Sequence, residues 1–555
     1  MKVFASILTL FSLLWVSSLC AGVQYVDNQF QGTPNGSQNS PWPTIAQGLD
    51  HLQPGDTLYI RGDVGSPRIY PEKMRPSVSG TAQHPIVVKA YPGEQVMIQY
   101  QSDKVLKANK DYYVYEDLIF DHDWGESDVI RLTGDYNIFR NCEVRNGRRD
   151  GFDIGSAHYS VIEMCEIHDM IHENVGSDAH GIVITGGHYV TFRHNRIYDC
   201  SGDCIQIGHG SAYHTQILEN DLFCTPAMQG ISENAVDVKS NFGGLIYGNK
   251  MHGFRRCNGA DGAALKINHK ADSMVVAWNE IYDCNGGLRL TQGSGPPRDM
   301  IVTNNVVHHL VDEGNYSTDG YGVQFDGQQN LKFYNNTFYD IPGPLFWLAS
   351  NGVDTLDMRN NIFANTHDFH GDESVFHGLV TIAYNGWFNC TETFVNQTNA
   401  ITGNDPMFVD ADGGDFRLQA GSPCIDAGDP AFGSNFPGGR IDLGAFEYGA
   451  ATRIGPTQRQ VPGSFRLLKN FPNPFNPVTT IPVEVYQPLS TLKFRVYNIL
   501  GQVVFTREYV NISPGVFFLR WEGRNSSNVP QPTGIYFYQV EANGVRQMGR
   551  MHLVK

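Results

Sequence analysis

The stretch ENAVDVKSNFGGLIYGNKMHG, residues 233–253, contains two short segments in which apolar and polar residues alternate. On a strand, Val236 and Val238 point to one side, and Asp237 and Lys239 point to the other. The second segment ends in a phrase made of an Asn, any residue and an apolar residue. Both segments recur along the chain, so this stretch is one copy of a repeat and predicts strands rather than helices.

The repeat has a period of about 27 residues, which is typical of a solenoid. Its phrase of an Asn, Cys or Asp, any residue and an apolar residue begins at Asp117, Cys142, Cys165, Asn195, Asn220, Asn249, Asn279, Asn305, Asn336 and Asn361. Short strands at this interval predict an all-β fold, a right-handed parallel β-helix in which equivalent residues form ladders. We expect the recurrent Asn to adopt left-handed backbone geometry in tight bends and to hydrogen-bond along the stack.

Length, charge and the first residues limit the class of protein. A chain of 555 residues is expected to contain more than one unit, and its formal net charge of −17 argues against a nucleic-acid partner. Residues 1–21 contain a Lys, an apolar run and small residues, which predict a secretory signal peptide. No later stretch is apolar for long enough to span a membrane. We therefore expect a protein that is secreted or held at the cell surface, and we also expect it to be a monomer.

The repeat and the segments before it resemble the pectate-lyase-like right-handed β-helix superfamily. YVDNQF, GDTLYIRG and SGTAQHPIVVKAYPGE, between residues 25 and 94, are similar to the entry turns of many secreted members. The resemblance covers residues 22–448, including a closing segment after the last repeat. It implies a carbohydrate-active protein, and a polysaccharide lyase is the main expectation.

The composition changes after a linker at residues 449–464. Residues 465–555 alternate like the strands of a small β-sandwich. The phrases NFPNPFNPVTTIPVEV, LKFRVYNILGQVV and PTGIYFYQVEANG resemble the C-terminal sorting domain that the type IX secretion system recognises. The resemblance implies that this secretion machinery is a partner and that the domain serves export rather than catalysis.

The outward residues of the second repeated segment provide the candidate site. Aligned on their inward apolar neighbours, they form the column Arg131, Asp153, Val183, Gln206, Asp237, Lys266, Arg289, Gln324 and Trp347. Lys239 lies in the column beside it. Because neighbouring strands are about 4.8 Å apart, the charged residues from Asp237 to Arg289 are expected to share a patch about 10–15 Å across. A patch of that size suits a few sugar units.

The residue types in this patch suit β-elimination from a uronate. Such a reaction requires neutralisation of the carboxylate, removal of the α-proton and stabilisation of the leaving oxygen. Lys266 is the candidate base, since a cationic neighbour disfavours its charged form, and Arg289 and Lys239 complete the predicted catalytic set. The candidate substrate-binding residues are Asp237, Arg131, Gln206 and Trp347.

Calcium is the one cofactor that the resemblance implies. The phrase ADGAALKI, residues 260–267, resembles a lyase stretch in which an Asp at the turn has a calcium or structural role, here Asp261. Asp237 and Glu233 are the other candidate calcium ligands. The following turn, CNGGLRL, lacks the paired acids that calcium-binding relatives have there.

Other functions fit parts of the same pattern. Asp203, in DCIQIGHG, resembles part of a polygalacturonase signature, but the second carboxylate that an inverting hydrolase requires is missing. A uronate epimerase would use nearly the same charged patch. A non-catalytic glycan-binding or adhesin-like protein would need only aromatic and polar groups, such as Trp124 and Trp347. Asp237 and Lys266 would also suit a solvated ion pair on neighbouring strands.

Overall fold

A computed structural model describes residues 21–449, apart from 175–176, 209, 211, 258–259, 294, 404 and 433–437. It also describes residues 465–554, apart from 468–469, 471–474, 476, 486–488, 499–501, 513–514 and 544. The predicted signal peptide and linker lie outside the described residues, except for their last and first residue respectively.

Three parallel sheets of 14, 14 and 10 strands form the solenoid, and the chain visits them in turn. The strands of the first sheet are Val23–Val26, Thr57–Ile60, Ile86–Ala90, Tyr113–Glu116, Ile138–Arg140, Val161–Glu163, Thr191–Arg193, Gln216–Leu218, Leu245–Tyr247, Val275–Ala277, Ile301–Thr303, Leu331–Tyr334, Val353–Arg359 and Phe376–Ala383. Those of the second sheet are Arg68–Tyr70, Val96–Gln99, Ile119–Gly125, Glu143–Gly147, Glu166–Met170, Arg196–Cys200, Asp221–Phe223, Lys250–His252, Glu280–Tyr282, Val306–His308, Thr337–Ile341, Ile362–Thr366, Gly386–Cys390 and Ile401–Gly403. Those of the third sheet are Leu106–Ala108, Ile130–Leu132, Phe152–Ile154, Ile182–Ile184, Ile205–Ile207, Val236–Phe242, Ala263–Asp272, Gly286–Thr291, Tyr321–Asp326 and Phe346–Leu348.

The inward residues of the three sheets form one continuous apolar core. In the turn that contains residues 233–253, Val236, Val238, Ile246 and Met251 are all buried in it. Because successive residues of a strand point to opposite faces, each inward apolar residue directs its neighbours outward. This alternation is the reason that the sequence predicts the strands correctly.

A ladder of asparagines lies at the bend between the first and second sheets, and its members are buried. They are Asn195, Asn220, Asn249, Asn279, Asn305, Asn336, Asn361 and Asn385. In a typical step, Nδ2 of Asn249 donates to Oδ1 of Asn279 at 2.9 Å and to the carbonyl of Ile217 at 2.8 Å. Oδ1 of Asn249 accepts from the backbone N–H of Asn220 at 2.9 Å. The predicted hydrogen bonding along the stack is confirmed.

The predicted backbone geometry of this ladder is wrong by one position. The left-handed residue of each bend precedes the ladder residue, as at Asn304, Asn335 and Asn360, where φ is 57°, 52° and 60°. The tight turn occurs there, so that the following side chain points inward between the strands. Asp117 is also such a left-handed residue, and strand register places Leu118 rather than Asp117 opposite Cys142.

The remaining elements are few. Antiparallel strands Phe408–Asp410 and Asp415–Leu418 belong to the closing segment, and Phe408 and Phe416 pack in a small cluster with Ile362 of the second sheet. Among the described residues, the helices are Ile45–Asp50 and the 3₁₀ turns Glu373–Val375 and Pro430–Phe432.

The C-terminal region consists of two antiparallel sheets with a core of their own. One contains Phe465–Leu467, Thr479–Val485 and Gly515–Trp521, and the other contains Leu489–Tyr497, Val503–Ile512, Gly534–Ala542 and Val545–Leu553. The predicted fold class, an all-β solenoid followed by a small β-sandwich, is confirmed. No helix among the described residues is long and apolar enough to cross a membrane.

Candidate active site

The third sheet presents the predicted column in the predicted register. Gln206 pairs with Asp237, Asp237 with Lys266, and Lys266 with Arg289. The pairing continues from Arg289 through Gln324 to Trp347. These residues alternate with buried apolar residues of the same strands, so their side chains share the outward face of the sheet.

Asp237 is at the centre of the charged patch and is only 2% exposed. Its Oδ2 lies 3.3 Å from Nζ of Lys266 and 3.8 Å from Nζ of Lys239, and its Oδ1 accepts from Nδ2 of Asn268 at 2.9 Å. Burial and the nearby Asp203 raise the pKa of Asp237, although the two lysines oppose this shift. The carboxylate therefore holds two ammonium groups at the face of the sheet.

Arg289 forms a second charged pair on the neighbouring strand. Its Nη1 donates to Oδ1 of Asp261 at 2.7 Å, and the hydroxyl of Tyr321 donates to the other oxygen of Asp261 at 2.9 Å. The guanidinium lies 5.9 Å from the centre of the Trp347 ring. Nε of Arg289 and Oε1 of Gln324 are buried, and neither has a hydrogen-bond partner within the described chain. The column therefore contains buried, unpaired polar atoms beside a fixed guanidinium.

A buried polar network lies beside this patch. Asp203 is fully buried and accepts from Nδ2 of Asn234 at 2.8 Å and from Nε2 of Gln206 at 3.0 Å. The same Gln206 nitrogen lies 3.0 Å from Nε2 of His180. Burial raises the pKa of Asp203. Gln206, which the sequence suggested as a substrate-binding residue, is therefore occupied in holding Asp203 and His180.

Glu233 is a half-buried acid of the site whose pKa is strongly raised. Burial, together with the nearby Asp203 and Asp178, raises the pKa of Glu233 to about 8. Oδ1 of the adjacent Asn234 is buried and has no partner among the described residues. The Glu233 carboxyl therefore lies close to other acids, and the next residue carries a buried, unpaired amide oxygen.

The three predicted calcium ligands are not gathered into one set. Within the described part of the chain, no three His, Cys, Asp or Glu side chains are arranged to hold a metal ion. Asp261 is bound by Arg289 and Tyr321, and Asp237 is bound by two lysines. Glu233 lies near Asp203 and Asp178.

The other two predicted substrate-binding residues have different surroundings. Trp347 lies beside Arg289 and makes an edge contact with Tyr321, so it belongs to the patch. Arg131 is paired with Asp153 on the next strand. Arg131 lies four strands before Asp237, so the two residues are separated by about 19 Å. Arg131 therefore does not share the site with Lys266.

The sequence pattern did not assign Asn234 and Tyr321 to the site, and it related Asp203 only to part of a hydrolase signature. Asp203 and Asn234 both lie two residues before the first paired residue of a third-sheet strand. A polar residue recurring at that position was the available signal. Tyr321 is fully buried, and only the structure shows its hydroxyl on Asp261.

Comparison with known families supports the class of fold that the geometry defines. Residues 24–208 match the profile described as the Pel9A-like, right-handed β-helix region, and residues 180–404 match that of the right-handed β-helix region. The solenoid is thus a right-handed β-helix of the pectate-lyase-like superfamily. Residues 475–545 match the FlgD Ig-like domain, in agreement with the C-terminal antiparallel sheets.

Several solved structures are similar to this chain at low identity. Pectate lyase Pel9A is 16% identical with a TM-score of 0.42, over 77% of this chain and 96% of that structure. A PL6-family polysaccharide lyase from Pseudopedobacter saltans is 12% identical with a TM-score of 0.45, over 68% and 96%. PfbA, a surface adhesin of Streptococcus pneumoniae, is 9% identical with a TM-score of 0.41, over 65% and 86%. No curated protein sequence matches.

Proposed function

We propose that the solenoid is a polysaccharide lyase that cleaves an anionic, uronate-containing glycan by β-elimination. The observation that supports this most directly is the pairing of Lys266 with Arg289 on adjacent strands, next to Lys239 and the buried Asp237. The patch combines a potential base with fixed cations on the outward face of the third sheet, and these are the groups that β-elimination requires.

Arg289 and Lys239 are the groups suited to hold the uronate carboxylate. Arg289 is fixed by Asp261, and its planar fork matches a carboxylate. Neutralising that carboxylate makes the α-proton more acidic and stabilises the charge that develops when the proton leaves.

Lys266 is suited to remove the α-proton. As an amine it takes the proton from C5 of the uronate, the C5–H electron pair forms the double bond to C4, and the C4–O bond breaks. The departing oxygen then takes a proton from the lysine or from water. Lys266 must first lose its own ammonium proton, and Asp237, 3.3 Å away and with a raised pKa, is a better acceptor than an exposed aspartate.

Calcium is a proposal of lesser scope. The oxygens of Asp237, Glu233 and Asn234 are the kind of ligand that calcium prefers, and Oδ1 of Asn234 is buried without a partner in the described chain. Their arrangement does not form a ligand set, and Asp261 is bound elsewhere. We therefore derive no step of the reaction from calcium, and its effect is measured as a separate arm below.

The reaction is tested on a panel of glycans. The exported protein is incubated with polygalacturonate, alginate and neutral xylan, each with calcium or with EDTA. The proposal predicts ultraviolet absorbance of an unsaturated product with a uronate polymer and none with xylan. New reducing ends without that absorbance would indicate a hydrolase. Retention of the polymer without any cleavage would indicate a glycan-binding protein, and an altered uronate composition without cleavage would indicate an epimerase.

We also propose that the protein acts outside the cell as a monomer, and that its C-terminal domain is the export signal for type IX secretion. The support is the resemblance of phrases such as NFPNPFNPVTTIPVEV to such sorting domains, together with an Ig-like C-terminal fold. Deletion of residues 465–555 in a host with this secretion system should leave the solenoid inside the cell envelope. Unchanged secretion of the truncated chain would contradict the proposal.

A further inference from the structure

We propose that Arg256 and Tyr316, on loops that lead into the third sheet, form a flanking subsite for a second acidic sugar of the glycan. This proposal rests on the proposed function, since it names a further part of the substrate that the same site would bind. Neither residue belongs to the outward column, and both lie outside the repeated phrase.

Arg256 is held rigidly from behind. Its Nε and Nη2 donate to Oδ1 of Asp319 at 2.9 and 2.6 Å, and Asp319 is 1% exposed. Asp319 also accepts from Nδ2 of Asn285 and from the backbone N–H groups of Asn315 and Tyr316. No described residue accepts a hydrogen bond from Nη1 of Arg256. The guanidinium is therefore fixed in direction and retains a donor for a ligand.

Tyr316 presents an aromatic surface beside that donor. The side chain is 61% exposed, and the guanidinium carbon of Arg256 lies 4.2 Å from its ring centre. One face of the ring therefore covers Arg256, and the ring remains largely open to solvent. The two residues line an open depression together with Gly230, Cys257 and Asn315. An aromatic face next to a fixed cation suits a ring with an apolar face and a carboxylate.

This depression is connected to the charged patch by a short chain of hydrogen bonds. Nδ2 of Asn285 donates to the backbone carbonyl of Asp261 at 2.9 Å and to Asp319 at 3.2 Å. Asp261 holds Arg289, and Asp319 holds Arg256. Each of the two aspartates precedes a strand of the third sheet. These two strands are two positions apart in the sheet, which is about 10 Å. The two arginines are therefore held from turns about 10 Å apart, which a few sugar units span, so that occupancy of both requires a chain longer than a disaccharide.

The chemistry of the subsite selects an acidic sugar. A uronate would place its carboxylate on the free edge of Arg256 and its ring on Tyr316. A neutral sugar would gain the ring contact but not the charged hydrogen bond, which is the stronger of the two. The site would then recognise a polyuronate better than an isolated uronate, because both Arg289 and Arg256 are occupied only by a longer chain.

The subsite is tested by binding, which does not require cleavage. Galacturonate disaccharide and hexasaccharide are titrated by calorimetry into the full exported chain carrying Lys266→Ala, so that neither ligand is degraded. Adding Tyr316→Ala or Arg256→Lys should weaken hexasaccharide binding about tenfold or more, with little change for the disaccharide. Tyr316→Phe should bind like the parent. The control Tyr136→Ala removes another exposed tyrosine, 40% exposed, at a bend between the third and first sheets.

Each outcome supports or overturns the subsite. Equal hexasaccharide affinity for Tyr316→Ala and Tyr136→Ala would overturn it, as would equal losses for the disaccharide and the hexasaccharide. Thermal melting shows whether a variant has loosened the Asp319 loop. If hexasaccharide affinity falls only in variants whose melting temperature also falls, the subsite is overturned as well. If Lys266→Ala and Lys266→Arg keep full lyase activity while Tyr316→Ala still weakens hexasaccharide binding, the catalytic proposal fails and the subsite stands.

Discussion

The asparagine ladder and the charged patch are both rows of polar side chains that stack from turn to turn, but they differ in how completely their atoms are paired. In the ladder, Asn249 and Asn279 repeat the same set of hydrogen bonds, with amide and carbonyl partners at nearly constant distances. In the patch, successive residues change charge, and Nε of Arg289 and Oε1 of Gln324 are buried without partners in the described structure.

This difference separates a structural row from a functional one. A buried polar group costs stability unless it is paired, so a row that only supports the fold repeats the pairing that satisfies it. A row that breaks the repeat and leaves polar atoms unpaired gains nothing for the fold from those atoms. The patch around Asp237 is such a row. Substitutions in the patch should therefore lower activity, whereas substitutions in the ladder should lower stability.

The largest effect is expected for Lys266→Arg. Arginine keeps the positive charge next to Asp237, but it does not lose its proton and is therefore no base. Lyase activity should fall about 10²–10⁴-fold with little change in thermal stability. The control Lys250→Ala removes an exposed lysine of the second sheet, paired with Glu280 at 3.1 Å, and should leave activity unchanged. Full activity in Lys266→Arg would assign Lys266 a purely electrostatic role.

The next effect is expected for Asn279→Ala in the ladder. The change leaves the carbonyl of Ile246 and the backbone N–H of Asn249 buried without their partners. The free energy of unfolding should fall by about 2–4 kcal/mol, measured by denaturant titration. The rate per folded molecule should not change. The control Asn351→Ala removes an exposed asparagine and should have almost no effect on stability.

A smaller effect is expected for Arg289→Lys. Lysine keeps the charge but loses the planar fork that holds Asp261 and matches a carboxylate. KM for a polyuronate should rise about tenfold, with a smaller change in kcat, because one directed hydrogen bond to the substrate is lost. Arg131→Lys, in the same column but paired with Asp153, is the matched control. Equal changes in both variants would show that the patch has no special position in the column.

The smallest effect concerns pH and Glu233. Because burial and Asp203 raise its folded pKa to about 8, from an ordinary value of 4.5, the folded state holds a proton that the unfolded state has already lost. Stability from this group is therefore fully present below pH 4.5 and is lost as the pH rises through 8. In EDTA, Glu233→Gln should melt higher than the parent at alkaline pH and equally at acidic pH.

Glu126→Gln, in which an exposed carboxylate is replaced, is the control for that melting experiment. It should follow the parent protein across the whole pH range. A pH-independent difference between Glu233→Gln and the parent would show that the Glu233 carboxyl does not titrate as its surroundings indicate.

The alternation of apolar residues was sufficient to predict the column correctly. Inward residues such as Val236 and Val238 determine the register, and a slip of one residue would bury Asp237 in the core. The side-chain pairing was not predictable from the column. Gln206 bonds to Asp203 within its own turn, whereas Arg289 bonds to Asp261 of the preceding turn, and neither partner is a member of the column. The positions of loop residues outside the repeat, such as Tyr316, could not be predicted, because strand register does not apply to them.

The left-handed bend position was missed for a related reason. The repeated phrase draws attention to the ladder Asn, whereas the residue before it varies in type, with Asn304 and Trp278 in equivalent bends. Side-chain identity there is weakly constrained, because the side chain points outward and only the left-handed backbone conformation is required. A pattern search for one residue type does not detect such a position.

One paired measurement on Lys266→Arg and Asn279→Ala tests the contrast between the two rows most directly. For both variants, the lyase rate on a polyuronate and the free energy of unfolding are determined side by side. The contrast predicts that Lys266→Arg loses activity and keeps its stability, and that Asn279→Ala loses stability and keeps its rate per folded molecule. An active Lys266→Arg protein, or a loss of activity in both variants that follows their loss of stability, would contradict it.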